Sequence, residues 1–237
     1  MSDIFRFKQF NVNQAGCAMK INTDGVLLGA LTMADAPRTI LDIGTGTGVI
    51  ALMLAQRFNN CHIDAAEIDK TAAQTAKINF ANASFAERLA LYPSSFKQFF
   101  TDHPNKRYDL IVSNPPFYIN SLESPGVGKA LAKHADNDFF ERLIYNAAGA
   151  LAADGLLWLI LPLDTAKLVK TLAGVNQLHL QRNINIHSYP ESAPHREVLV
   201  FGKHQTLVQQ TELVIYDKPK HYTQQYQELL KDFLTIF

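Results

Sequence analysis

The 237-residue chain balances 22 Lys and Arg against 22 Asp and Glu, a formal net charge of zero. That excludes a protein that wraps nucleic acid by bulk charge, so any such contact must come from a local basic patch or from shape. With 47% apolar residues the chain can bury the core of one large domain, and Cys17 and Cys61 form no CxxC or Cys/His cluster, which argues against a disulfide framework or structural zinc and for a reducing cytoplasm.

The first residues carry Asp3, Arg6 and Lys8 and show no apolar leader. Phe5, Phe7 and Phe10 alternate with polar residues, as in a short strand or hairpin. In the segment 17–29, Thr23-Asp24-Gly25 has turn or N-cap chemistry, and residues 26–31 suit a helix packed on a sheet. Residues 39–44 are an apolar strand running into Gly44-Thr-Gly46-Thr-Gly48 and then a helix. A dinucleotide fingerprint needs a third glycine where Val49 stands; the pattern is instead Asp42-x-Gly44-x-Gly46-x-Gly48. A second strand, 62–67, ends on Glu67, about twenty residues after the glycine loop, where a ribose diol is held in a mononucleotide-binding half. Asp69 suits the cap of a helix over 70–81.

A weak strand at 89–92 and a polar helix follow, then the apolar strand 108–113. That strand stops at Asn114-Pro115-Pro116-Phe117, because neither proline has an N–H for a ladder. The corner offers a side-chain amide, two fixed backbone carbonyls and a flat ring, which together suit a planar ring bearing an exocyclic amine. Residues 118–135 are polar and unpatterned, with Lys129, Lys133 and His134; they read as a binding loop that orders on substrate. From 136 the apolar spacing of Phe139, Phe140, Leu143, Ile144, Ala147, Ala148 and Leu151 predicts a helix. A central strand over 155–161 follows, and the longest apolar run, 156–163, is too short to span a membrane. Asp164 suits the cap of a short helix. Strands at 178–186 and 197–201 pair as a hairpin, and a further strand at 212–216 leads to a final helix whose Tyr222, Tyr226, Leu229, Leu230 and Phe233 share a face.

Over residues 36–203 the strand–helix alternation, the Asp42 to Gly48 loop, the acid ending the second strand and the terminal hairpin resemble the class I S-adenosylmethionine-dependent methyltransferases. The Asn114 to Phe117 corner narrows the likeness to amino methyltransferases, a motif shared by adenine-N6, guanine-N2 and glutamine-N5 enzymes. Phe7-Lys-Gln-Phe10, the segment 17–29, Pro194-His-Arg-Glu-Val-Leu199 and the final helix are similar to the bacterial tRNA1(Val) adenine-37 N6-methyltransferases. The resemblance implies an α/β fold: a seven-stranded, mostly parallel sheet with helices on both faces, a terminal antiparallel hairpin and a small C-terminal strand–helix extension. It implies one domain over 1–237, with a covering segment (1–35), a core (36–203) and an extension (204–237).

It further implies S-adenosylmethionine as cofactor, with Gly44, Gly46 and Gly48 near its methionine moiety, Glu67 on its ribose and Ile68 on its adenine. Asp42 and Asn114 also border that site, and Thr23 and Asp24 fold over it. Asn114 and Pro115 would receive the target amine and Phe117 would stack the base, beside Pro116. Where such enzymes often carry an aspartate after the third strand, this chain has Ser94 and Ser95. The partner implied is tRNA, with no metal and no membrane, and a monomer is expected. RNA-contact candidates are Lys129, Lys133, His134, His195, Arg196, Lys218, Lys220 and His221. Guanine in rRNA or a protein glutamine remains an open acceptor; a nicotinamide oxidoreductase is disfavoured by Val49 and by the proline corner.

Overall fold

Alternating apolar runs and amphipathic stretches give parallel strands joined through helices, so that part of the sheet is covered on both faces. The computed structural model describes residues 3–116 and 128–237, the side chains of 128–136 excepted. A hairpin of β1 (Ile4–Arg6) and β2 (Asn11–Asn13) comes first, then α1 (Thr23–Leu31). The chain continues as β3 (Thr39–Ile43), α2 (Val49–Arg57), β4 (His62–Ala66), α3 (Lys70–Ala81), β5 (Leu89–Tyr92), α4 (Phe96–Asp102) and β6 (Tyr108–Ser113). After α5 (Gly128–Ala150) come β7 (Leu151–Leu161), α6 (Leu163–Val175), the hairpin β8 (His179–His187) and β9 (Arg196–Gly202), and β10 (Gln209–Val214). A small hairpin, β11 (Tyr216–Lys218) and β12 (His221–Tyr222), precedes α7 (Gln224–Leu230).

The main sheet has eight strands in the order β10-β8-β9-β7-β6-β3-β4-β5. All neighbours are parallel except those of β9, which runs against β7 and β8. The fold expected from the sequence is therefore present with one strand more. The strand of the C-terminal extension, β10, adds to the sheet beside β8, with its exposed Gln209, Gln210, Thr211 and Glu212 making a polar edge that discourages further pairing.

Side chains alternate along the strands between two cores. Ile40, Trp158 and Ile160 face the layer of α1, α2, α3 and α7, whereas Leu41, Leu157 and Leu159 face α4, α5 and α6. Each such Leu or Ile contributes about 1.5–3 kcal/mol by leaving water.

Several boundaries differ from the sequence reading. α5 begins at Gly128, eight residues before the apolar spacing starts, because Ala130, Leu131, Ala132, Lys133 and Ala135 are good helix formers without a periodic face. The remainder of the loop expected over 118–135, up to 127, lies outside the described residues. α1 starts at Thr23, capped by Asn22, not at residue 26. β7 starts at Leu151 and Pro162 caps α6, with Asp164 inside its first turn. Tyr222 belongs to β12, so only Tyr226, Leu229 and Leu230 of the expected face lie on α7.

Asn79 of α3 joins the amino-terminal hairpin to the core. Its Nδ2 donates to the carbonyls of Asn13 (2.9 Å) and Thr47 (2.8 Å), and its Oδ1 accepts from Asn13 N (2.8 Å). The side chain is buried, so truncation strands those partners without water. Asn79→Ala is expected to lower the unfolding free energy by about 2–3 kcal/mol in urea melts and to speed proteolytic cleavage before residue 23.

Candidate active site

The parallel register decides what meets at the carboxyl edge. Ile43 pairs with Ala66 and with Ser113, so these three strands finish in one row. One residue further along each strand stand Gly44, Glu67 and Asn114, on strands about 4.8 Å apart. Strand order reverses between β3 and β6, and an open α/β sheet binds ligands at such a switch point.

Asp42 fixes the glycine loop from below. It is fully buried, and its Oδ2 accepts from Thr45 Oγ1 (2.6 Å) and from Ala51 N (3.2 Å), tying strand, loop and first turn of α2 together. Burial pushes its pKa up to about 7; the two hydrogen bonds oppose that rise, and the Glu67 charge adds to it. Its Oδ1 is buried with no hydrogen-bond partner among the described residues. Glu67 bridges the loop from the side: Oε2 accepts from Gly46 N and Oε1 from Asp69 N, both at 2.8 Å. Asp69 caps α3 through Ala72 N, as its sequence position predicts.

The three glycines divide by role. All have positive φ, but a Cβ on Gly48 would lie 2.4 Å from the Phe80 ring, whereas Cβ atoms on Gly44 and Gly46 would meet no described residue within 4 Å. Gly48 is therefore needed for packing against α3, and Gly44 and Gly46 face open space. Ile68, 72% exposed, stands at the same edge. Of the two serines after β5, Ser95 is engaged as the cap of α4, accepting from Gln98 N.

Asn114 follows β6, whose Ser113 hydroxyl donates to the Ile43 carbonyl and holds the two strand ends together. Asn114 Nδ2 donates to Asn22 Oδ1 at 3.5 Å, and its buried Oδ1 has no partner among the described residues. Pro115 is buried and Pro116 exposed, while Phe117 lies outside the described residues. The edge thus pairs an open glycine loop, flanked by two acids, with an amide oxygen free to accept a hydrogen bond. It can hold a cationic or nucleoside-like molecule on the loop and orient an N–H donor at the corner.

α1 is drawn to this edge by an ion pair: Arg196 Nε donates to Asp24 Oδ2 at 2.8 Å, both side chains being largely shielded from water. Arg196, a candidate for RNA contact, is thereby engaged within the protein, and Asp24 is paired to it. Thr23 is exposed beside them. Half-buried His195 has its pKa lowered by burial and by the Arg196 charge. Lys218 and Lys220 are exposed on the β11–β12 hairpin, with His221. Lys129, Lys133 and His134 lie on α5, but their side chains are outside the described residues. Sequence reasoning missed Asn22, Asn79 and Phe80. Asn22 carried the only usable signal, an N-cap residue one position before the helix; the other two act across the fold.

The family model described as "Methyltransferase small domain" matches residues 21–177. A tRNA1(Val) (adenine(37)-N6)-methyltransferase from Pedobacter heparinus is 46% identical over 237 residues, covering all of both chains. A protein of the same name from Flavobacterium psychrophilum is 41% identical over 97% of this chain and 98% of its own. Among solved structures, a predicted O-methyltransferase from Agrobacterium tumefaciens superposes with a TM-score of 0.67 over 89% of this chain and 96% of its own; at 18% identity it shares the fold alone.

The buried Asp42 predicts a pH signature. Its carboxyl holds a proton to about pH 7 in the fold but only to about 4 in the unfolded chain. The unfolded state therefore releases the proton first, and stability falls as pH rises from about 4 to about 7, then levels. The loss is on the order of 4 kcal/mol at most. Urea melts across this range should show that slope, and Asp42→Asn should flatten it.

Proposed function

The chain belongs to the tRNA1(Val) (adenine(37)-N6)-methyltransferase family, and on that premise we propose that it methylates the exocyclic N6 of adenine-37 in the anticodon loop of tRNA1(Val). The observation that carries this reading is Asn114, beside the glycine loop, with its Oδ1 unengaged among the described residues. A tRNA partner, a cytoplasmic setting and a monomeric chain go with it, as does a single domain whose first 35 residues cover the site.

The residues fit S-adenosylmethionine: among the described residues the loop is open above Gly44 and Gly46, acids flank it, and Asp42 keeps one buried oxygen without a partner. When bound, that cofactor supplies an electrophilic methyl group on a sulfonium. Gly44 and Gly46 would hold its methionine moiety, with Gly48 shaping the turn and Asp42 holding the loop. Glu67 retains lone pairs beyond its two backbone bonds for the ribose hydroxyls. Ile68 offers an apolar face to its adenine ring, and Thr23 and Asp24 border it from α1.

The target amine is a poor nucleophile because its lone pair is delocalised into the ring. Asn114 Oδ1 and the Pro115 carbonyl accept its two hydrogens, favouring a pyramidal nitrogen with the lone pair directed towards the glycine loop. The same two acceptors stabilise the positive charge that develops on nitrogen, and the surplus proton then leaves to water. Phe117 and Pro116 would hold the ring after the base turns out of its stack. Lys218 and Lys220 are the exposed charges best suited to phosphate contact, with His195, Lys129, Lys133 and His134 nearer the corner in sequence or at the sheet edge.

Tritiated methyl transfer into separate tRNA, rRNA and protein fractions tests the reading. Label is expected in tRNA, as N6-methyladenosine at position 37; label in protein glutamine or as N2-methylguanosine in rRNA would refute it. Asn114→Ala should lower kcat by roughly 100-fold or more, with the cofactor Kd from calorimetry little changed. Removing both Lys218 and Lys220 should reduce the slope of log K against log salt for tRNA binding by about 1–2; an unaltered slope would clear both lysines of RNA contact.

A further inference from the structure

Asn114 needs more than position, because an amide can rotate about its last torsion and exchange its oxygen for its nitrogen. Only one of the two orientations offers an acceptor to an incoming amine. The other presents donors, which oppose the amine's own hydrogens.

We propose that Asn22 is a positioning residue that fixes the Asn114 amide with its oxygen towards the substrate. The inference rests on the methyl-transfer reading above. Asn22 Oδ1 accepts the Gly25 N–H at 2.9 Å as the cap of α1. A backbone N–H can only donate, so the atom at that place must be the oxygen, and the Asn22 amide is itself oriented without ambiguity. That same oxygen faces Asn114 at 3.5 Å and can receive only a donor from it, the Nδ2 group. Nδ2 is thereby turned to α1, and Oδ1 is left as the buried atom with no partner among the described residues. Turning the Asn114 amide over would set oxygen against oxygen at the contact and leave two buried N–H groups without acceptors, unfavourable at both ends.

A Cβ on Gly25 would lie 3.5 Å from Asn22 Oδ1 and 3.6 Å from Asn114 Nδ2, so Gly25 is the residue over which the two amides meet. A chain of three groups runs from the helix backbone to the reacting nitrogen: Gly25 N–H, Asn22 Oδ1, and the Asn114 amide. A helix cap thus sets the hydrogen-bonding polarity of the acceptor corner.

Cap and positioning role separate by substitution. Asn22→Ser retains a good cap but is too short to meet Asn114, whereas Asn22→Asp retains both the cap and an acceptor at the right reach. Asn22→Ser is expected to keep the wild-type Tm and cofactor Kd yet lose about tenfold or more in kcat at saturating tRNA. Asn22→Asp should recover kcat to within about threefold of wild type. In protein labelled with 15N-asparagine, the Asn114 side-chain NH2 pair, assigned by its disappearance in Asn114→Asp, should shift towards free-amide values in Asn22→Ser and not in Asn22→Asp. Unchanged Asn114 amide signals in Asn22→Ser would overturn the inference whether or not methyl transfer is observed. Wild-type kcat in that variant would overturn it too. Absence of transfer by the wild-type protein would instead strike the parent reading, leaving the amide signals to decide this one.

Discussion

The molecule depends on the register of three parallel strands. Because β3, β4 and β6 finish in one row, the residues that leave them are neighbours in space although tens of residues apart in sequence. Parallel strands must be joined by crossovers, so each can deliver its end to the same edge and surrender the chain to a helix on the far side. A glycine turn, a carboxylate and an amide therefore converge without any of them being held by a long loop. The buried Asp42 then locks the turn to the row, at the expense of keeping a carboxyl where its charge is poorly solvated.

Three partly shielded ion pairs tie separate elements of the fold together. The zero net charge leaves no broad field for nucleic acid. Arg196 binds α1 to the β8–β9 hairpin, and Lys170 meets Glu197 at 2.7 Å on the neighbouring β9 residue. Lys106 contacts Asp64 and Tyr92 under the other end of the sheet. These ion pairs join elements distant in sequence. Lys218 and Lys220 are exposed on the β11–β12 hairpin, which follows β10.

Much of this was legible in the sequence because its signals are local. Asp42 to Gly48 announces a strand, a turn and a helix within a dozen residues, and two adjacent prolines announce the end of β6 wherever that strand lies. Asp69 could be assigned as a cap from its position alone. The rest depends on pairing across the fold. Nothing near Gly48 reveals that its missing side chain makes room for Phe80, and nothing near Arg196 reveals that Asp24 is its partner. β10 has a polar, exposed pattern that does not distinguish an edge strand of the main sheet from a separate ribbon. The start of α5 was missed because helix propensity without an apolar stripe leaves no periodicity to read.

The amino-terminal hairpin has a last consequence. Phe7 bridges Leu234, the Lys8 backbone N–H donates to Phe233, and the Lys8 ammonium reaches the Lys231 carbonyl. Residues 7 and 8 therefore find part of their seat on residues 231–234, far along the chain. Closing so long a loop comes late in folding, since the chain entropy is lost before the contacts repay it. α1 packs against α2 and α7 and carries Asn22 and Asp24 to the sheet edge. A chain cut short before residue 231 would keep the strands that bear Gly44, Glu67 and Asn114 but lack the clasp on the segment leading into α1. The clasp thus ties the placement of α1, and with it Asn22 and Asp24, to residues far along the chain.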